Sequence, residues 1–186
     1  MDFSIWWDNH GGGAPLMGDW IDNAKQREQH IRSEETELQR AQREKIAGLK
    51  VVFPEWLNAL GAALQTVCDR LSSAFPHDLS RHYSVNQTAS GFILRSQGYP
   101  EITAEVQFQL DVRPTMIVRH SVTQNLHAQQ AHAKQNNGDI ELRDSQILIH
   151  YSPLVRDPSG EFQQKRNSYT NPELLANDLL REVTRL

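Results

Sequence analysis

Ile102, Ala104, Val106, Phe108, Leu110 and Val112 alternate with Thr103, Glu105, Gln107, Gln109 and Asp111, and that pattern restricts the fold more than any other in the chain. A period of two sends successive side chains to opposite faces, so this stretch is a strand with one face buried and one in water, as in an antiparallel sheet. "SQGYP" at 96–100 turns back to a strand over 91–96, and Arg113-Pro114 turns forward to one over 115–124. A weaker strand near 81–88 completes a meander.

Residues 124–138, QNLHAQQAHAKQNNG, are polar and end in glycine. They are expected to form a flap or a short helical excursion with a glycine stop. Ile140 and Leu142 then resume alternation, but Ile147, Ile149 and Tyr151 fall on the opposite parity. A bulge or a turn at Arg143 to Ser145 must switch the register. RDPSGE at 156–161 is a hairpin turn, and Phe162 opens a last short strand. A C-terminal helix follows, capped by Asn171 or Thr170, with Pro172 in its first turn and Leu175, Leu179, Val183 and Leu186 as its buried stripe.

Ahead of the strands, Leu57, Leu60, Leu64, Val67, Leu71 and Phe75 recur three and four apart. That is a core-facing helix, expected to begin at Pro54 and to end before Pro76. Residues 19–50 form a separate long charged helix, with Asp19 as its cap and Glu28/Arg32 and Arg40/Glu44 spaced for mutual support. Ala24, Ile31 and Leu38 recur every seven residues, with Ile21 and Leu49 at the other seam position and Glu28, Glu35 and Gln42 interrupting it. Such a stripe suits either a helix leaning on a partner or a self-paired coiled coil.

The fold class is therefore α+β: an antiparallel meander packed by an amphipathic helix and a C-terminal helix. The organisation is an arm over 1–18, a charged helix over 19–50 and an α+β domain over 53–186. At 186 residues the chain can bury a core without disulfides. A net charge of −4 supplies no positive field for phosphate backbones, which argues against nucleic acid. No apolar run is long enough to span a bilayer and no signal peptide leads the chain, so the expected location is cytoplasmic. The single cysteine, Cys68, falls on the apolar helix face and is expected to be a buried structural thiol.

The arm carries Phe3, Ile5, Trp6 and Trp7 ahead of Gly11, Gly12 and Gly13. The glycines are a hinge, since the Lys-Ser or Lys-Thr pair of a phosphate loop is missing. Asp2 and Asp8 flank the aromatics with no basic neighbours, which argues against membrane attachment. Asp8 and His10 are too few to close a metal site, and His127 and His132 lie five apart without a matching carboxylate. No metal or cofactor is expected.

No spacing marks a nucleophile, a metalloprotease helix or a CxxC pair, so no catalytic residue can be named. The favoured function is non-enzymatic: an interaction or accessory protein that binds another chain or itself through Phe3, Ile5, Trp6, Trp7, Trp20, Ile31 and Leu38. The alternative is a small-molecule-binding or catalytic domain with a pocket between helix 54–75 and the sheet, holding His120 or His150. His82, Arg95, Arg119 and His150 are expected on the wet face of the sheet with Glu105, Gln107 and Gln109.

Overall fold

A computed structural model describes residues 19–123, 132–156, 162–164 and 166–184. The chain divides into two units, Met1–Arg43 and Glu44–Leu186, and the first helix, α1 (Asp19–Ala74), contributes to both. The expected break at Pro54 does not occur, because α1 is one helix of 56 residues with that proline inside it. An interior proline removes a backbone hydrogen bond and costs about 3 kcal/mol. Leu49 and Phe53 before it, and Leu57 and Leu60 after it, are buried in the same core. Each full burial contributes about 1.5–3 kcal/mol, so packing outweighs the proline.

Beyond α1 the strands are β1 (Tyr83–Thr88), β2 (Gly91–Ser96), β3 (Glu101–Gln109), β4 (Thr115–Thr123), β5 (His132–Arg143) and β6 (Gln146–Tyr151). They form an antiparallel meander in chain order, and β9 (Asn167–Tyr169) adds to the edge of β6 to make seven strands. β7 (Leu154–Arg156) and β8 (Phe162–Gln164) pair separately around the expected 156–161 turn, with Arg156 opposite Phe162. The alternation of β3 places Ala104, Val106 and Phe108 inside, level with Phe92 and Leu94 on β2 and with Met116, Val118 and His120 on β4.

The polar tract departs from expectation. Residues 124–131 lie outside the described residues, but 132–138 belong to β5, paired with β4 from Val122↔His132 to Thr115↔Asp139. Pairing with β4 satisfies one edge of the backbone there, and the side chains divide by parity: Gln135 and Asn137 outward, Asn136 and Gly138 inward. Gly138 is not a helix stop. It faces Tyr151 on β6, where a Cβ would lie 2.8 Å from the carbonyl oxygen of His150.

The register switch after Leu142 is a two-residue turn, Asp144-Ser145, between the paired residues Arg143 and Gln146. Their φ values of 50° and 62° make it a type I′ turn, whose twist matches the flanking strands. Ser145 is the less suited of the two, because a type I′ turn prefers glycine at its position. Asp144→Asn combined with Ser145→Gly should raise the unfolding free energy by about 0.5–1 kcal/mol in urea titration. An unchanged or lowered midpoint would contradict the type I′ assignment.

The last helix, α2 (Pro172–Val183), begins as expected: the Asn171 side chain accepts from the Glu173 amide at 2.7 Å, and Pro172 occupies the first turn. It buries Leu175, Ala176, Leu179, Leu180 and Val183, which share one core with α1 and the inner face of the sheet. Gly61 lets α1 close on β2, since a Cβ there would meet the Phe92 ring at 2.9 Å. Cys68 is buried, and burial, reinforced by the charge of Asp69, pushes its pKa up to about 12. It stays a protonated core thiol at neutral pH.

Candidate functional site

Four polar side chains meet inside the core. His120 on β4, Asn136 on β5 and Tyr151 on β6 share the inward parity of adjacent strands, and Glu182 on the buried face of α2 descends onto them. The Glu182 carboxylate accepts from Asn136 Nδ2 at 2.6 Å on Oε1 and from the Tyr151 hydroxyl at 2.5 Å on Oε2. His120 Nε2 stands 3.3 Å from Oε1, with both side chains only 2% exposed. That is ion-pair distance without hydrogen-bond alignment, and neither ring nitrogen has a hydrogen-bond partner among the described residues. Burial, and after it the charge of Glu182, holds the Tyr151 hydroxyl well above the ordinary tyrosine range. The phenol therefore acts as a permanent donor to the carboxylate.

A carboxylate so placed costs free energy unless its lone pairs are taken up, and Asn136 and Tyr151 do so. Tyr169 on β9 extends the polar layer by donating to Asp178 Oδ2 on α2 at 2.7 Å. Burial first, then that bond, raises its pKa as well. Together these contacts tie α2 to four strands. Sequence reasoning singled out His120 but missed Glu182, although a glutamate between Leu179 and Val183, among the stripe positions of a helix, was the available signal.

His150 does not join His120. Tyr151 points inward, so His150 points outward, where its Nδ1 lies 2.8 Å from Ser168 Oγ and its Nε2 3.8 Å from Glu141. The two histidines lie on opposite faces of one sheet and cannot line a common pocket. Arg119 occupies the outer face as expected and is held by Gln107 at 3.0 Å, Gln135 at 3.3 Å and Glu105 at 3.6 Å. Arg95 pairs with Glu101 at 3.0 Å, and Arg113 and Arg166 both pair with Asp139. This face neutralises its own charges. His82 precedes β1 instead of lying on the sheet, and its Nε2 contacts the Phe75 carbonyl just past the end of α1 at 2.9 Å.

Phe3, Ile5, Trp6 and Trp7 lie outside the described residues, as do Asp8, His10 and His127. On α1 the remaining partner-binding candidates are uncovered: Trp20 is 64%, Ile31 54% and Leu38 70% exposed. The expected Glu28/Arg32 pair forms at 2.9 Å, and Lys25 turns to Asp22 at 3.8 Å. Among the described residues no three His, Cys, Asp or Glu side chains gather into a metal cluster, and no helix is long and apolar enough to cross a membrane. No known protein family, curated protein or solved structure matches the chain.

Concave surface lies elsewhere, along the second half of α1 where it faces first Ser145, Gln146 and Ile147 with the Thr170-Asn171 segment, and then α2. Three clefts of about 440, 360 and 380 Å³ follow one another there. The first and second share Ala59 and Asn171, and the second and third share Val67, Arg70 and Asn177, so the clefts form one groove. Ala59, Ala62 and Ala63 leave room between the helices, and Trp56 lines one end, its buried indole N–H without a partner among the described residues. Small residues at helical spacing, "NALGAAL", were the signal for this groove.

Proposed function

We propose that the protein is a non-enzymatic interaction or accessory protein, binding a partner chain or a second copy through its N-terminal aromatic segment and the first part of α1. The supporting observation is the exposure of Trp20, Ile31 and Leu38 on a helix that is otherwise charged. Full burial of side chains of this size contributes about 1.5–3 kcal/mol each, so a facing surface gains substantially by covering them. Ala24, Ile31 and Leu38 recur at seven-residue intervals, the period at which one helix receives another. Trp6 and Trp7 add two side chains of the type that dominates interface energetics. A cytoplasmic setting belongs to this proposal, since a single thiol needs no oxidising compartment.

Sedimentation velocity over a concentration series, with and without lysate from the native cells, tests the role. Ile31→Glu combined with Leu38→Glu should leave the circular dichroism and melting temperature unchanged, because both sites are exposed. It should also weaken association at least about tenfold, the effect of charges set into an apolar contact. Association that is indifferent to the pair would refute the helix as an interaction surface.

A further inference from the structure

We infer that the groove between α1 and α2 is the receptor for residues 1–18 delivered by a second copy of the chain. This rests on the interaction role proposed above and names the surface that the aromatic segment meets. At one end of the groove, Val67, Leu71 and Leu180 form apolar walls, and Arg70 from α1 and Arg181 from α2 stand on opposite sides. Both arginines are exposed, and neither has an ion pair among the described residues. At the other end the flanking charge is Glu55, and the middle stretch is lined by both Arg70 and Glu173.

An occupant that fits is apolar, aromatic and negatively charged. Residues 1–18 have that chemistry: Phe3, Ile5, Trp6 and Trp7 are bracketed by Asp2 and Asp8, and the stretch holds no lysine or arginine. Asp2 and Asp8 suit Arg70 and Arg181 and are repelled by Glu55 at the far end, so charge selects both the occupant and the end of the groove it enters. The segment runs directly into α1 at Asp19, whereas Arg70 belongs to the last turns of the same helix. A second copy therefore supplies it.

The test uses the full chain carrying Trp6→Ser and Trp7→Ser as receptor, and a fluorescent synthetic peptide of residues 1–18 as probe, read by anisotropy. Saturable binding is expected, weakened at least about tenfold when the receptor also carries Arg70→Glu and Arg181→Glu. A peptide with Asp2→Lys and Asp8→Lys should recover binding to the charge-reversed receptor and lose it to the parent. Absence of saturable binding, or binding indifferent to charge reversal, would overturn the assignment, as would a wild-type chain that remains monomeric at concentrations where the peptide saturates. If the peptide fails while association still depends on Ile31 and Leu38, this assignment falls and the interaction role stands. If the peptide binds as expected and Ile31→Glu/Leu38→Glu changes nothing, the groove stands and the helix surface falls.

Discussion

Glu182→Ala should lower the unfolding free energy by about 3–5 kcal/mol, because it strips buried donors of their acceptor and opens a cavity in the core. The carboxylate joins Asn136, Tyr151 and His120 across three adjacent strands, and its side chain is 2% exposed. Its loss leaves the Tyr151 hydroxyl buried without its acceptor and the Asn136 amide with only the Tyr151 oxygen beside it, and an orphaned buried donor costs about 1–3 kcal/mol. It also leaves a void beneath α2. Glu182→Gln should fall between the wild type and Glu182→Ala, because the amide keeps one acceptor but turns two donors on partners that also donate. Tyr151→Phe removes one hydrogen bond and should cost about 1–2 kcal/mol. Urea titrations with matched m-values measure all three. A loss below about 1 kcal/mol for Glu182→Ala would show that the layer does not tie α2 to the sheet.

Gly91→Ala should be among the most damaging small substitutions at the described residues, costing more than about 4 kcal/mol or preventing folding altogether. Gly91 opens β2, buried and paired with Gln107 of β3. An added Cβ would be driven into the Val106 carbonyl oxygen, with the Val106 carbonyl carbon at 2.9 Å and Gln107 Cα at 3.2 Å. All three are backbone atoms of a paired strand, so relief requires separating β2 from β3. Gly61→Ala is the control. Its Cβ meets the Phe92 ring at 2.9 and 3.3 Å and the Gln87 side-chain oxygen at 3.8 Å, and side chains can shift. Alanine also recovers up to about 1 kcal/mol of helix propensity. Thermal melts of the pair should separate widely. If Gly91→Ala melted within a few degrees of the wild type, the β2–β3 register described here would be wrong.

The two substitutions differ in how visible their sites were beforehand. Nothing around Gly91 in the sequence distinguishes it from an ordinary turn glycine, because the obstructing carbonyl belongs to a residue of the next strand. Glu182 was visible as a glutamate within an apolar helical stripe, but its partners on β4, β5 and β6 were not. The Asp144-Ser145 turn was half visible: the parity change required a switch there, and the positive φ values decided for a turn over a bulge.

By itself the sequence determined what depends on local period and local chemistry. Alternation at 102–108 dictated β3, which ends at Gln109 and leaves Val112 exposed beyond it, spacing of three and four dictated the buried face of α1 between Leu57 and Leu71, and Asn171-Pro172 dictated the start of α2. Tertiary structure alone decided what depends on neighbours distant in the chain. It made a strand of the polar tract 132–138, because β4 pairs with it residue by residue from Val122↔His132 to Met116↔Gly138. It kept α1 continuous through Pro54, because core burial on both flanks exceeds the cost of the proline. It separated His120 from His150, because pairing assigns opposite faces to neighbouring parities. It also set Arg70 and Arg181 about one groove, because two helices far apart in sequence pack side by side on one sheet.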